Sequence, residues 1–259
     1  MGNNSIIIGW GTIGKAIGNA FGITNYYSRT EHNVAFKDIG KFRYIHICLP
    51  TPTINGECYV DGITDTIKKI LENTPGNEQR VFIIHSTVYP GYNRSLQKQF
   101  RIKNIVSNPE FLSEDTALEN ANHPALIVIG ADDPKYREMV LGIYKGRFKY
   151  CEPIITDSVT AELLKLTLNA FFTTKVVFAN EIFDYANQIK ANYETIKLAL
   201  ENHPWGSKNH FTIHHKGGRG AGGKCLSKDI EALANKSDNE LLQLIDFTNK
   251  LLLTESKKK

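Results

Sequence analysis

The sequence has few features of a membrane or secreted protein. None of its apolar runs reaches the roughly 18 residues that suggest a membrane helix. The N-terminus, MGNNSIIIGWG, has no charged leader followed by a long apolar stretch, so we expect no signal peptide. The four cysteines show neither a CxxC pair nor the spacing of a zinc site, which favours reduced thiols, a cytoplasmic location and no bound metal.

Charge of one sign is not in large excess either. The 31 basic and 27 acidic side chains give a net charge of +4, and part of the excess lies in the terminal SKKK. No basic stripe is interleaved with aromatic residues, so we do not expect nucleic acid as a partner. With 41% hydrophobic residues, the 259 residues can bury a sizeable core, in one large domain or in two smaller ones.

The first half of the chain alternates short apolar runs with helical patterns. The runs include SIIIG, YIHICL and RVFIIH, and helical patterns separate several of them, as at 61–72. Strands that alternate with helices are typical of βαβ units and a parallel sheet. We therefore predict a Rossmann-type, doubly wound α/β domain over residues 1–155.

A dinucleotide-binding fingerprint occupies the first junction of strand and helix. GWGTIG follows the strand directly and opens the helix, and its pattern is GxGxxG. The first glycine permits a tight turn, the second admits the pyrophosphate, and the third lets the helix pack on the strand. The helix N-terminus offers N–H groups to the phosphates. We predict that NAD or NADP is bound here, by Gly9, Trp10, Gly11, Thr12, Ile13 and Gly14.

Three later strands end in polar or proline-rich stretches, which read HICLPTPT, FIIHSTVYPG and NIVSNPEFLSE. In an open parallel sheet, ligands lie outside the carboxyl ends of the strands. We therefore expect Thr51, Thr87 and Glu110 to converge on one crevice, with Thr51 among the residues that bind the cofactor.

The second half, residues 156–259, is predicted to be a helical domain. From Asp157 the chain has more than 30 helix-compatible residues without proline or glycine, with Asp157 or Ser158 as N-cap. Such a helix spans roughly 50 Å, which suits a central helix or a dimer interface. Lys165 and Asn169 share one of its faces and interrupt an apolar stripe. A lysine at such a place commonly extends to solvent.

A glycine-rich loop follows a shorter helix and ends in a cysteine. It reads GGRGAGGKCLSKD over 217–229, and a single last helix is predicted from about Ser227. Glycine lets the backbone adopt positive φ and approach a ligand closely. Cys225 lies between Lys224 and Lys228, and nearby cations and helix N-termini favour the reactive thiolate. Cys225 is therefore expected to be available to react.

Six stretches, in the same order, resemble the UDP-glucose dehydrogenases and related nucleotide-sugar dehydrogenases. They read GWGTIG, CLPTPT, STVYPG, NPEFLSEDTA, AELLKLTLNAFFTTKVVFANE and GAGGKCLSKDIEAL. The resemblance implies oxidation of a sugar primary alcohol to a carboxylate, in two hydride transfers to a nicotinamide cofactor. It also implies a nucleotide-linked sugar substrate and a homodimer through the helix at 158–190.

The resemblance further implies roles for residues that match the family's motifs. Cys225 would trap the aldehyde as a thiohemiacetal, which the second hydride transfer converts to a thioester. Lys165 and Asn169 would hold the oxyanion, and Asp229 and Thr87 would order water.

Three more residues match the family's pattern. Glu110 would assist hydrolysis of the thioester, and Glu114 matches a second acidic position. Lys228 matches a residue placed near the cofactor and the catalytic thiol.

The sequence also departs from that pattern. A third domain that holds the UDP normally follows, whereas this sequence ends after the last helix, so we expect that domain to be absent. Trp205 stands near the place of an arginine that commonly contacts the substrate. The second strand ends in YYSRTEH, without the usual acidic residue for the ribose hydroxyls of NAD. Ser28 and Arg29 suit the 2′-phosphate of NADP, whereas Glu31 would serve the ribose if the strand were two residues longer.

Two other functions stay open. A single-step NAD(P)-dependent alcohol or hydroxyacid dehydrogenase would share the lysine and asparagine on a helix but would need no cysteine. A cofactor-binding protein without turnover would need none of the catalytic residues, and their presence as a set argues against it.

Overall fold

Seven short strands form the sheet of this structure, a computed structural model that describes residues 2–76, 78–215 and 218–256. In chain order they are β1 (Ser5–Ile8), β2 (Tyr26–Tyr27), β3 (Tyr44–Ile47), β6 (Val81–Ile84), β7 (Ile105–Ser107), β8 (Val128–Gly130) and β9 (Ile154–Thr156); the strands between β3 and β6, β4 (Thr53–Ile54) and β5 (Glu57–Cys58), form a separate hairpin. The sheet order is β2-β1-β3-β6-β7-β8-β9. The first five strands are parallel, whereas β8 and β9 run opposite to β7. The predicted Rossmann-type sheet is confirmed, with two reversed strands at one edge.

The helices of this part of the chain connect the strands. They are α1 (Thr12–Phe21), α2 (Asp61–Asn73), α3 (Tyr92–Phe100), α4 (Ala117–Asn122) and α5 (Pro134–Arg147). Ile7, Ile83 and Ile129 join residues of α1, α4 and α5 in one hydrophobic cluster. Every residue of β1 and of β6 is buried, which explains why these strands are apolar on both faces, apart from Ser5 at the start of β1, rather than alternating.

The remaining helices lie in the second half of the chain. They are α6 (Ser158–Gln188), α7 (Tyr193–Asn202), α8 (Leu226–Ser237) and α9 (Glu240–Ser256). Asp157 caps α6, since its carboxylate accepts hydrogen bonds from the N–H groups of Val159 and Thr160. The predicted single last helix is wrong: Asp238 adopts a left-handed conformation (φ 50°), and Asn239 accepts a hydrogen bond from the N–H of Leu242, which starts α9 as a new helix.

Two compact units make up the chain. The first comprises Met1–Thr51 and Tyr59–Lys165, and the second comprises Pro52–Cys58 and Leu166–Lys259. The division falls inside α6, after Lys165 and so ten residues beyond the predicted boundary at 155. Within the described residues, no helix is both long and apolar enough to cross a membrane.

A chain of buried polar groups lies behind the ends of β3, β6 and β7. The rings of His46 and His85 share a hydrogen bond of 2.9 Å between Nδ1 and Nε2, and His85 Nδ1 lies 2.9 Å from the carbonyl oxygen of Asn108. The side chain of Asn108 accepts a hydrogen bond from the Tyr144 hydroxyl and donates one to the carbonyl of Val128. Burial lowers the pKa of His46 well below its ordinary value and lowers the pKa of His85 to about 4.

Glu162 is a second buried titratable group of the first unit. Its carboxylate accepts hydrogen bonds from the N–H groups of Gly91 and Asn93, at 2.5 and 2.9 Å, and so satisfies the N-terminus of α3. Burial raises the pKa of Glu162 to about 7, although these hydrogen bonds act in the opposite direction.

These two groups predict opposite effects of pH on stability. The pKa of His85 is lower in the folded state, so its contribution to the free energy of unfolding is present above pH 6.5 and is lost as the pH falls to 4, by about 3 kcal/mol. The pKa of Glu162 is raised, so its contribution increases as the pH falls from 7 to 4.5. Denaturant unfolding between pH 4.5 and 7.5 should therefore show a smaller loss on acidification for His85→Asn than for the wild type, and a larger loss for Glu162→Gln. Parallel curves for all three proteins would contradict the assignment.

Candidate active-site residues and cofactor site

The three glycines of the fingerprint serve different purposes. Gly9 has φ +95°, and a Cβ on it would lie 2.5 Å from the carbonyl oxygen of Cys48. A Cβ on Gly14 would lie 2.0 Å from the carbonyl oxygen of Gly9. A Cβ on Gly11 would have no atom within 4 Å. The fold itself therefore requires the first and third glycines, whereas the second leaves the open space that a pyrophosphate would occupy.

The N-terminus of α1 adjoins this space. Gly11 is the N-cap and supplies no side-chain hydrogen bond, so the cap leaves the first N–H groups of the helix to a phosphate. Thr12 is exposed and Ile13 is partly buried. Trp10 stacks on Tyr26 with ring centroids 4.3 Å apart, so its side chain packs on the protein and its main chain lines the turn. These residues fit a dinucleotide.

The structure pairs two of the predicted catalytic residues, Glu110 and Lys165. The ammonium group of Lys165 donates a hydrogen bond of 2.7 Å to the main-chain carbonyl of Glu110 and lies 3.6 Å from its carboxylate. The second carboxylate oxygen of Glu110 accepts a hydrogen bond from the N–H of Leu112. Because the side chain of Lys165 is only 6% exposed, it does not extend to solvent as such lysines commonly do. A buried ammonium of this kind can stabilise a negative charge that forms beside it.

The two threonines of the predicted crevice are buried in the same unit. Thr51 follows β3, and Thr87 follows β6. Ser86, next to Thr87, donates a hydrogen bond of 2.7 Å to the carbonyl of Leu49, which links the two strand ends. Since β3 and β6 are parallel neighbours, their carboxyl ends reach the same edge of the sheet, as predicted.

Three predicted residues of the second unit form one polar cluster. The amide of Asn169 on α6 donates a hydrogen bond of 2.6 Å to the carboxylate of Asp229 on α8, and the ammonium group of Lys228 contacts the other oxygen of that carboxylate. Asp229 is 1% exposed, so these two partners stabilise its buried charge. The carbonyl of Lys228 accepts a hydrogen bond from Thr53 in the β4–β5 hairpin.

The cysteine lies at the start of α8. Cys225 itself is the N-cap residue and is exposed, so α8 begins at Leu226, one residue before the predicted start at about Ser227. The hydroxyl of Ser227 donates a hydrogen bond to the carbonyl of Gly223. All four cysteines are thiols in the structure. The dipole and the N–H groups of a helix N-terminus favour a thiolate at this place.

Two residues that sequence reasoning missed hold the glycine-rich loop. Asn249 on α9, fully buried, accepts a hydrogen bond of 2.7 Å from the N–H of Ala221 and donates one of 3.2 Å to its carbonyl. Arg219 donates hydrogen bonds to Asn180 and Asp184 on α6, at 2.9 and 2.7 Å. An asparagine in an amphipathic helix gives no signal of such a contact, because its partner is main chain.

Three further predicted site residues are Glu114, Ser28 and Arg29. The side chain of Glu114 lies outside the described residues, although its main chain forms a 3-10 turn after Ser113. Ser28 and Arg29 lie in a turn directly after β2. Within the described part of the chain, no group of three or more histidine, cysteine or acidic side chains has the arrangement of a metal site.

This chain is similar in sequence and in fold to several nucleotide-sugar dehydrogenases. A UDP-glucose 6-dehydrogenase of Rickettsia prowazekii is 30% identical over 239 residues, which cover 88% of this chain and 52% of the relative. The chain therefore spans about half the length of the curated relatives it matches. The UDP-glucose dehydrogenase structure from Pyrobaculum islandicum matches 98% of this chain and 68% of its own, with a TM-score of 0.77 and 21% sequence identity. The UDP-D-ManNAc dehydrogenase structure from Pyrococcus horikoshii matches 96% of this chain and 68% of its own, with a TM-score of 0.77 and 18% sequence identity. Both share the fold.

The match to the family itself covers most of the chain. Residues 6–148 match the NAD binding domain of the UDP-glucose/GDP-mannose dehydrogenase family, and residues 159–251 match its central domain. The glycine turn and the α1 N-terminus described above lie within the first match, and the cysteine loop lies within the second. Because the two matches together cover well over half of the chain, it belongs to the UDP-glucose/GDP-mannose dehydrogenase family.

Proposed function

We propose that this chain is an NAD(P)-dependent oxidoreductase that converts the primary alcohol of a nucleotide-linked sugar to a carboxylate, with Cys225 as nucleophile. The observation that carries the proposal is the position of Cys225, exposed at the N-terminus of α8 and four residues before the Asp229 that binds Asn169 and Lys228. A single-step alcohol or hydroxyacid dehydrogenase has no use for a cysteine at this place.

The first half of the reaction needs no covalent bond to the protein. The alcohol loses a proton and a hydride and becomes an aldehyde. The bound cofactor supplies the hydride acceptor, and in the matched family it is NAD. We assign the stabilisation of the alkoxide to the Lys165 ammonium and the Asn169 amide, because donors fixed before the reaction stabilise charge without reorganisation.

The second half uses the thiolate. Sγ of Cys225 adds to the aldehyde carbon, and the resulting thiohemiacetal can lose a second hydride, which leaves a thioester. Water then attacks the thioester carbon, the C–S bond breaks, and the thiolate is regenerated. One alcohol, two oxidised cofactors and one water give one carboxylate, two reduced cofactors and three protons. We assign the ordering of this water to Thr87 and Asp229, and assistance in hydrolysis to Glu110.

The protein should be cytoplasmic, since all four cysteines are thiols.

It should also form a homodimer through α6. Val176 and Val177 are already buried within the chain, whereas an apolar stripe on the same helix is not. Leu163, Phe171, Phe178 and Tyr185 form this stripe, at intervals of eight, seven and seven residues, and are 42 to 59% exposed. A seven-residue interval keeps a stripe facing a partner helix, which favours pairing of α6 with its copy.

The covalent role of Cys225 predicts the stoichiometry of the reaction. With a panel of UDP- and GDP-linked sugars, the wild type should produce two reduced cofactors and one carboxylate for each sugar consumed. Cys225→Ser should produce no carboxylate, because a serine hydroxyl at this place is not ionised at neutral pH. Cys58→Ser, which alters a half-buried thiol of the same unit, should behave as the wild type. One reduced cofactor per sugar in the wild type would favour the single-step alternative.

The thiols should also differ in reactivity without any substrate. Burial, and to a smaller extent the charge of Glu110, raises the pKa of Cys48, whereas Cys225 is exposed at a helix N-terminus. Brief treatment with iodoacetamide at pH 7.5, followed by peptide mass spectrometry, should show Cys225 modified at least about tenfold faster than Cys48. Equal rates would remove the physical basis for Cys225 as the nucleophile.

The proposed dimer can be tested by light scattering at micromolar concentration. The wild type should have twice the mass of the chain, and Phe178→Glu should be a monomer, because a carboxylate in a paired apolar stripe would be buried without a partner. Leu198→Glu is the matched control: this leucine is 60% exposed on α7, outside the stripe, and the variant should stay dimeric. A monomeric wild type refutes the dimer.

A further inference from the structure

The turn after β2 lies beside the fingerprint. The N–H of Gly9 donates a hydrogen bond of 2.9 Å to the carbonyl of Tyr27, the last residue of β2. In dinucleotide-binding folds the residues that follow this strand contact the adenosine ribose. An acidic residue there binds the 2′-hydroxyl of NAD, and an arginine accommodates the 2′-phosphate of NADP.

This turn offers no carboxylate at the strand end. The N–H of Ser28 donates to the carbonyl of Glu31 at 2.8 Å, and Tyr27 forms an isolated antiparallel bridge with His32, so β2 is not extended toward Glu31. Glu31 is the only acidic residue between positions 22 and 37, and its carboxylate lies 3.3 Å from the ammonium group of Lys15. The acid that could have served the ribose therefore lies at the far end of the turn, three residues after Ser28, and is paired with a cation.

The hydroxyl of Ser28 is also used for hydrogen bonds inside the turn. Its hydroxyl donates a hydrogen bond of 2.8 Å to the carbonyl of Glu31 and accepts one of 3.0 Å from the N–H of the same residue. These bonds fix the conformation that presents the next side chain, Arg29, to solvent.

Two exposed cationic side chains lie in or beside this turn. Arg29 is exposed, and among the described residues its guanidinium makes no hydrogen bond and no ion pair. Lys15 lies in the first turn of α1, beside the same strand end, and is 55% exposed. A guanidinium binds phosphate through two parallel charge-assisted hydrogen bonds, which a ribose hydroxyl cannot provide.

We propose that this turn is a 2′-phosphate subsite, with Arg29 as its main ligand and Lys15 as a second cation, so that the chain binds NADP more tightly than NAD. The inference rests on the proposed function, since it needs a dinucleotide in the fingerprint site. It departs from the matched NAD binding domain at this turn, where the sequence and the geometry fit the phosphorylated cofactor better.

Calorimetric titration of the full chain with oxidised NADP and NAD tests the inference without turnover. NADP should bind at least about tenfold more tightly, because the exposed Arg29 guanidinium can form charge-assisted hydrogen bonds with its additional phosphate. The 2′-phosphate can be isolated by comparing adenosine 2′,5′-bisphosphate with adenosine 5′-monophosphate on the wild type, where the first should bind more tightly. This comparison needs no variant and therefore no assumption about the folding of one.

Three variants locate the effect. Arg29→Ala should weaken NADP about tenfold and leave NAD unchanged, whereas Lys98→Ala, which removes an exposed cation at the end of α3, should change neither. Glu31→Gln should leave NAD unchanged, because this carboxylate is not the ribose ligand.

The outcomes separate the inference from the proposed function. Tighter binding of NAD by both the wild type and Arg29→Ala overturns the 2′-phosphate subsite and leaves the proposed function standing. Loss of NAD binding in Glu31→Gln makes Glu31 the ribose ligand and overturns it as well. Binding of neither cofactor to the wild type sinks the proposed function itself.

Discussion

The parallel pairing of β1 with strands on both of its sides is the constraint on which the first unit depends. Because β1 is hydrogen-bonded to β2 and β3 and packed on its faces, its residues after Ser5 are all apolar and the chain must leave the sheet abruptly. It does so at Gly9, where the carbonyl of Cys48 comes so close that no side chain is possible. The same exit aims the N-terminus of α1 at the open space over Gly11. A cofactor site is thus a consequence of how the central strand ends.

In the second unit the main constraint is that a glycine-rich loop must be held in one conformation. Glycines at 220 and 223 adopt positive φ and give up the rigidity of a side chain. Asn249 restores it from outside the loop by binding the main chain of Ala221, and Arg219 restores it from within the loop by binding Asn180 on α6. Asp229 belongs to the same arrangement, because its buried carboxylate is tolerated only with Asn169 and Lys228 as partners. An exposed cysteine on a fixed helix terminus is the result.

Much of this could be predicted from local sequence. The strand runs, the GxGxxG turn, the long α6 and its Asp157 cap depend on residues close to each other in the chain, and the structure has them as predicted. The β4–β5 hairpin also had a local signal, the Asn55–Gly56 pair, which favours positive φ at both positions, and that signal was missed. The end of α8 before Asp238 was also missed, because the apolar pattern of α8 continues into α9.

What the sequence determined by itself is the chemistry available: glycines where φ must be positive, one cysteine before a helix, a lysine and an asparagine one helical turn apart. What only the tertiary structure decided is which of these groups meet. Lys165 is buried against Glu110, 55 residues away, rather than solvated, and Glu31 is paired with Lys15 rather than placed at the end of a strand. Such contacts depend on strand register and helix packing, which bring together residues distant in the chain, and no local pattern encodes them.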